Sequence, residues 1–239
     1  VKTNVIGSQN IIDASLHENV ELAVAVGTDK AVSPLNTYGA TKLLMEKLFV
    51  TANNYINPTK HKTKFVALRY GNVLGSSGSV VPLFINQIKK NQKITITDPE
   101  MTRFSITMND ALDFILESCK EAKGSEVFIP NLRAYTIKDI KDALTELLND
   151  PGEEIIGIRE DEKMHEILIN HDEIRYSWKF NNKYVILNEN HKTEKIQNNY
   201  KNISKVKESS EYNSHTAEKI PKEELKKIIM NSGLLEIKH

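Results

Sequence analysis

Apolar positions along the chain fall into two kinds of run. Leu22-Ala23-Val24-Ala25-Val26, within Glu21 to Val26, and Phe65-Val66-Ala67-Leu68, after Lys64, have the unbroken apolar character of strands covered on both faces. Around them, apolar residues recur at three- and four-residue intervals, the period of a helix buried along one side. Residues 1–18 read as such a helix, with Val1, Val5, Ile12 and Leu16 on its stripe and Asn4 and Gly7 on its less apolar side. After a loop at Pro34, residues 37–54 carry Leu44, Met45 and Leu48 at helical spacing. Gly71, Gly75 and Gly78 punctuate the loop after the second strand. Strand, helix, strand in this order predicts the α/β class with right-handed crossovers.

Beyond Pro82 the elements shorten. The pattern predicts a helix over 81–90, a strand over 94–97, and a helix starting at Thr107 with the stripe Leu112, Ile115, Leu116 and Cys119. Strands are expected from Glu126 to Pro130 and from Glu154 to Ile158. Between them Thr136, with Asp139 three residues on, starts a helix whose stripe is Ile140, Ala143, Leu144 and Leu147. Residues 189–219 are polar, with disorder as one reading. Pro221 opens a last helix, with Leu225, Ile228 and Ile229 inward and Gly233 at its end.

Charge adds an exclusion. Lys+Arg and Asp+Glu are 32 each, so neither nucleic acid nor an anionic membrane surface is expected as a partner. Cys119 stands alone, which fits a reducing compartment, and no apolar run reaches membrane-spanning length. A soluble cytoplasmic protein is expected. Val1 is not an initiator methionine and no capping residue precedes it, so a fragment or truncated reading frame is expected.

The stretch from Thr28 to Lys42 carries the candidate chemistry. Tyr38 and Lys42 stand one helical turn apart and so emerge on one face. A lysine ammonium near a phenol favours the phenolate, the state a general base needs. Thr28 lies upstream, followed by Asp29-Lys30, which reads either as a second acid and base or as an ordinary charged strand end. No His/Cys/Asp cluster has metal-ligand spacing, and His165 reads as a structural or substrate-loop residue.

Thr28-Asp29-Lys30-Ala31 with Tyr38-Gly39-Ala40-Thr41-Lys42 resembles the extended short-chain dehydrogenase/reductases, and more narrowly the inverting UDP-N-acetylglucosamine 4,6-dehydratases of the pseudaminic acid pathway. Arg69-Tyr70-Gly71-Asn72-Val73, Gly78-Ser79-Val80-Val81-Pro82 and Met101-Thr102-Arg103-Phe104 extend the resemblance. Ile156-Gly157-Ile158-Arg159, Glu162-Lys163-Met164-His165-Glu166 and Glu211-Tyr212-Asn213-Ser214 carry it almost to the end. Three departures stand out. Gly27 replaces the usual Ser, and Arg159-Glu160-Asp161-Glu162-Lys163 replaces Arg-Pro-Gly-Glu-Lys. No Gly-rich phosphate turn occurs in the sequence, so about three βαβ units, roughly 100 residues, are expected to be missing in front.

The resemblance implies an α/β fold: the C-terminal part of a Rossmann-like doubly wound parallel sheet with a smaller mixed α/β substrate-binding lobe. Residues 1–80 would be the remainder of the NADP-binding domain with the catalytic motif. Residues 81–239 would be mainly the lobe, with elements returning to the core. The implied reaction is an internal redox elimination on a UDP-sugar, with tightly bound NADP regenerated each turnover. Tyr38 takes the C4 hydroxyl proton, Lys42 holds the nicotinamide ribose and Thr28 bonds the reacting oxygen. Lys30 is the base at C5 and Asp29 the acid at the C6 hydroxyl.

Asn4 is either an ordering residue beside the cofactor site or a solvent-facing helical Asn. Asn72, Ser79 and Glu162 are implied substrate contacts. Arg103 and Arg159 either meet the UDP diphosphate or form surface salt bridges. A homo-oligomer is implied as well. Membrane-linked retaining dehydratases usually carry Met where Tyr38 stands, and 4-epimerases typically carry Ser or Thr where Asp29-Lys30 sits. The alternatives are a non-catalytic remnant, a UDP-sugar-binding module or a 4-epimerase.

Overall fold

The structure, a computed structural model, describes residues 1–57, 59–187, 199–207 and 211–236. Its chain forms two compact units. The first comprises Val1–Tyr70, Asn109–Asn131 and Ile167–Tyr212; the second comprises Gly71–Met108, Leu132–Glu166 and Asn213–His239. The sequence placed a border at residues 80–81, whereas the units part at Tyr70 and Gly71. The reason is pairing: β3 (Asn72–Val73) already lies parallel to β5 (Thr102–Ile106), with Asn72 opposite Ser105 and Val73 opposite Ile106.

The first unit is built on a six-stranded sheet of Rossmann-like α/β class. Strands β1 (Leu22–Val26), β2 (Lys64–Leu68) and β6 (Val127–Pro130) are parallel. An antiparallel extension follows through β11 (Lys183–Ile186), β10 (Ser177–Phe180) and β12 (Ser204–Lys205). Phe65 through Leu68 are fully buried, as an unbroken apolar run in a parallel strand requires. Helix α2 (Thr37–Ala52) begins at Asn36, whose side chain accepts from the Gly39 N–H. Its end is tied to β2 by Asn53, which donates to the Phe65 carbonyl and accepts from the Phe65 N–H.

Three helical stripes differ from the sequence expectation. A π-helical turn, Lys2–Ile6, leads into α1 (Gly7–His17), whose buried residues are Ser8, Ile12 and Ser15, while Val1 is exposed. In α2, Met45 is buried but Leu44 is exposed, and the inward positions go to Glu46 and Phe49 because a buried arginine awaits Glu46. In α4 (Met108–Glu121), Ala111, Phe114 and Ser118 face the core and Leu112 and Leu116 are exposed. Phe114 sets that rotation by meeting the Tyr70 ring edge-on, at 6.3 Å between centroids.

In the second unit, β3, β5 and β7 (Ala134–Thr136) form one sheet, and β4 (Ile94–Ile96) pairs with β8 (Glu153–Ile155). The strand expected over 154–158 is therefore shorter and begins one residue earlier. Helices α3 (Val80–Lys89), α5 (Ile137–Leu147) and α7 (Lys222–Asn231) enclose a core that includes Phe84, Ile85, Ile94, Ile96, Ile140 and Leu225. Thr136 and Asp139 form the capping box that opens α5.

Of the polar stretch 189–219, residues 189–198 and 208–210 lie outside the described residues. Its described parts are built into the fold. Tyr200, Ile203 and Val206 are buried, and β12 pairs with β10.

Candidate active site

The C-terminal ends of β1 and β2 set the first unit's site, the usual place for a ligand in an open parallel sheet. The backbone past β1 is held by two bonds, from Gly27 N–H to the Leu68 carbonyl (2.7 Å) and from Asp29 N–H to the Tyr70 carbonyl (3.1 Å). Thr28 then caps a single 3-10 turn, Asp29–Ala31. Its hydroxyl donates to Asp29 Oδ1 at 2.8 Å, and the Lys30 ammonium reaches the same oxygen at 3.2 Å. Asp29 is fully buried, and its other oxygen, Oδ2, has no hydrogen-bond partner among the described residues. A buried carboxylate oxygen left over in this way is suited to hold a proton or to meet a donor on a ligand.

Helix α2 passes close to this turn. Gly39 allows it, since a β-carbon there would lie 2.4 Å from the Lys30 carbonyl oxygen and 2.9 Å from Pro34 Cβ. The approach brings the first turn of α2, with Tyr38, onto the Asp29-Lys30 backbone. Tyr38 is 52% exposed. Lys42, one turn on, is partly buried, and that burial pushes its ammonium below the ordinary lysine value. No side-chain hydrogen bond or ion pair engages it among the described residues. Asn4 belongs to this group by a bond of its own. Its amide donates to Thr41 Oγ1 at 3.1 Å, and Thr41 donates to the Tyr38 carbonyl at 2.8 Å.

The sequence reading gave no role to the group behind this site. Arg69 is wholly buried. It donates through Nε and Nη2 to Glu46, through Nη1 and Nη2 to Glu173, and through Nη1 to the Leu168 carbonyl. Burial lowers the arginine's proton affinity, but the two carboxylates outweigh it and hold the guanidinium firmly charged. Burial likewise acts to raise the Glu173 pKa, and Arg69 turns the net shift downward. The available signal was a glutamate two turns after Tyr38 and an arginine ending an apolar strand.

The second unit holds the remaining candidates. Asn72 lies on β3 opposite Ser105. Ser79 precedes α3, and its buried hydroxyl has no partner among the described residues. Arg103 donates to the Thr102 and Met164 carbonyls (2.7 and 3.2 Å), with Glu166 3.8 Å from its Nε. Arg159 stands on an exposed loop, 3.5 Å from Glu162. A buried knot joins three motifs: Thr102 Oγ1 bonds both His165 Nδ1 (2.8 Å) and Ser214 Oγ (2.7 Å), and Ser214 accepts from the Glu166 N–H (2.8 Å). Among the described residues no group of His, Cys, Asp and Glu is disposed to hold a metal ion, and no helix is long and apolar enough to cross a membrane.

A family model described as polysaccharide biosynthesis protein matches residues 1–212. The chain belongs to this family. It is 45% identical to an inverting UDP-N-acetylglucosamine 4,6-dehydratase of Campylobacter jejuni over 187 residues, 78% of this chain and 54% of that enzyme. It thus spans about half the length of that relative. A UDP-glucose 4-epimerase of Rickettsia felis is 34% identical over 97% of this chain and 67% of its own. Among solved structures, Pen from Bacillus thuringiensis superimposes with a TM-score of 0.85 at 38% identity, covering 98% of this family member and 69% of Pen.

Proposed function

We propose that this family member carries the catalytic and sugar-binding residues of a nucleotide-sugar 4,6-dehydratase. Its substrate is UDP-N-acetylglucosamine, converted with C5 inversion to a UDP-4-keto-6-deoxy sugar in surface-glycan synthesis of the pseudaminic acid type. The observation that carries the reading is the buried Asp29, bonded to Lys30 and set against the first turn of the helix bearing Tyr38 and Lys42. Elimination needs an acid and a base besides the redox pair, and this pair provides them. The identity to the Campylobacter dehydratase supports the same reading.

Residues of the first unit fit one end of a nicotinamide dinucleotide, NADP by resemblance. A partly buried ammonium with no side-chain hydrogen bond or ion pair among the described residues, one turn from an exposed phenol, is a donor set suited to ribose hydroxyls. Tyr38 and Lys42 would hold that end, with Asn4 bracing the Tyr38 carbonyl through Thr41.

Tyr38 Oη takes the proton from the sugar C4 hydroxyl while Thr28 Oγ1 hydrogen-bonds the C4 oxygen. A nicotinamide dinucleotide, when bound, would supply the acceptor for the hydride leaving C4 and the donor for its return to C6. The resulting C4 ketone acidifies C5, and Lys30 Nζ, after passing its proton to Asp29 across their 3.2 Å bond, removes the C5 proton. Asp29 delivers a proton to the C6 hydroxyl, which departs as water. A solvent-derived proton added to C5 on the opposite face completes the inversion.

The chain, expressed with any reading frame that precedes it, is incubated with UDP-N-acetylglucosamine and NADP+ in deuterated water. The expected product is a 4-keto-6-deoxy sugar carrying deuterium at C5. Identity to the Rickettsia 4-epimerase over nearly the whole chain favours a second reading, C4 epimerisation. Recovery of the C4 epimer, with no label at C5, would establish that reading and overturn the first.

A further inference from the structure

The Arg69 network lies wholly within the first unit, out of reach of any substrate, yet it touches the supports of every candidate catalytic group there. Glu46 follows Tyr38 and Lys42 on the same face of α2, at successive turns. Its carboxylate accepts from Arg69 Nε at 2.9 Å and from Nη2 at 2.5 Å, a two-point fork that fixes the rotation of α2 as well as its depth. The same carboxylate lies beside the bend after β1: a β-carbon on Gly27 would stand 3.9 Å from Glu46 Oε2. Arg69 is itself held in the sheet, its N–H donating to the Phe128 carbonyl at 2.9 Å. The next residue, Tyr70, offers the carbonyl that receives the Asp29 N–H.

We infer that Arg69 and Glu46 are positioning residues, which lock the helix carrying Tyr38 and Lys42 to the strand end that carries the Asp29 turn. Glu173 and the Leu168 carbonyl occupy the remaining guanidinium donors, so Arg69 has no freedom to follow Glu46 if α2 shifts. A charged fork in this place costs desolvation that an apolar pair would not, which marks geometry rather than stability as its contribution. The inference rests on the dehydratase reading of the site.

Arg69→Lys keeps the charge but replaces the planar fork with a single point, and Glu46→Gln keeps the shape of the acceptor. Both variants are expected to lower kcat for C4 oxidation about 10- to 100-fold while KM for the UDP-sugar stays within about threefold. Single-turnover reduction of the nicotinamide reads that step. Lys183→Met serves as the control. Lys183 is another buried ion-paired residue of this unit, bonded to Glu117 and Glu121, and its loss should lower the unfolding midpoint with kcat within about twofold. If Arg69→Lys does not fold, Glu46→Gln gives the same comparison. An active wild type whose two variants lose only stability, as the control does, overturns the inference. A wild type with no C4 oxidation overturns the dehydratase reading, and this inference with it.

Discussion

The α-carbon of Gly39 faces the carbonyl of Lys30 so closely that a methyl group on it would stand 2.4 Å from that oxygen. Helix α2 and the Asp29–Ala31 turn are thus in backbone contact, beside the side chains that the proposed mechanism uses together. Gly39→Ala forces the two apart. Overpacking of this kind costs about 1–3 kcal/mol, which urea unfolding would register. Because the displaced atoms belong to the helix turn carrying Tyr38, kcat should fall more than stability, by about 100-fold for a displacement near 1 Å. A variant that unfolds earlier but turns over normally would show that the contact serves packing alone.

Asp29 and Lys30 share a hydrogen bond, and the proposed mechanism gives them separable tasks. Lys30→Ala leaves Tyr38, Lys42 and Thr28 in place, so oxidation at C4 should proceed while the C5 proton stays. The expected signal is nicotinamide reduction that persists instead of reversing, with overall turnover down about 100-fold or more. Asp29→Asn should retain C5 exchange with solvent while slowing departure of the C6 oxygen. Normal turnover in Lys30→Ala would remove Lys30 from the role of C5 base.

Much of the first unit was legible because apolar continuity is a local signal. The run Lys64–Leu68 is strand β2 to the residue, and Thr136 with Asp139 is a capping box. What failed was the choice of helical face. In α4 the pattern selected Leu112 and Leu116, whereas Ala111 and Ser118 lie inward beside Phe114, since small residues let a helix sit close to a sheet. Composition alone gives no reason to bury Glu46; it is buried against Arg69, a neighbour distant in sequence. The β10–β11 hairpin left a fainter trace, Phe180-Asn181-Asn182-Lys183 between short alternating runs, with Asn181 in the left-handed region its turn demands. At the site, the spacing of Tyr38 and Lys42 was visible directly. The bonds of Asn4 to Thr41 and of Arg69 to Glu46 join residues far apart in the chain, and no spacing rule reports them.

His165 is expected to make the stability of the second unit sensitive to acid. Burial holds its pKa below the ordinary 6.5, and His215, whose ring lies 4.3 Å away, with Arg103 and Lys219, pushes the same way against Asp98. The native state therefore favours the neutral imidazole bonded to Thr102. Above pH 6.5 both native and unfolded chains are neutral at this position and the contribution is fully present. As pH falls from 6.5 towards the lower native value, the unfolded chain binds the proton first and stability is lost. Urea midpoints followed between neutral pH and about pH 5 should decline, and His165→Gln should flatten that decline above the carboxylate range. An unchanged profile in the variant would assign the acid sensitivity to other groups.

For Arg103 and Arg159 the sequence left two readings, a contact to the UDP diphosphate or a surface salt bridge, and the structure gives them different surroundings and hence different signatures. The Arg103 guanidinium spans the Thr102 and Met164 carbonyls, with its side chain 12% exposed. Ser214 Oγ and the Thr102 N–H also donate to these two acceptors, so Arg103→Ala removes one donor from each and should cost about 0.5–1.5 kcal/mol in stability. Arg159 is 67% exposed and, among the described residues, forms an ion pair only with Glu162, at 3.5 Å, so Arg159→Ala should change stability by no more than about 0.5 kcal/mol. If Arg159 meets the substrate diphosphate, its loss removes a charge-assisted contact worth about 1.5–3 kcal/mol and raises KM for the UDP-sugar about 10-fold or more. Added salt should weaken wild-type binding more steeply than that of Arg159→Ala, because screening acts on the missing charge. Equal salt dependence and an unchanged KM would leave Arg159 outside the binding site and return its role to the Glu162 loop.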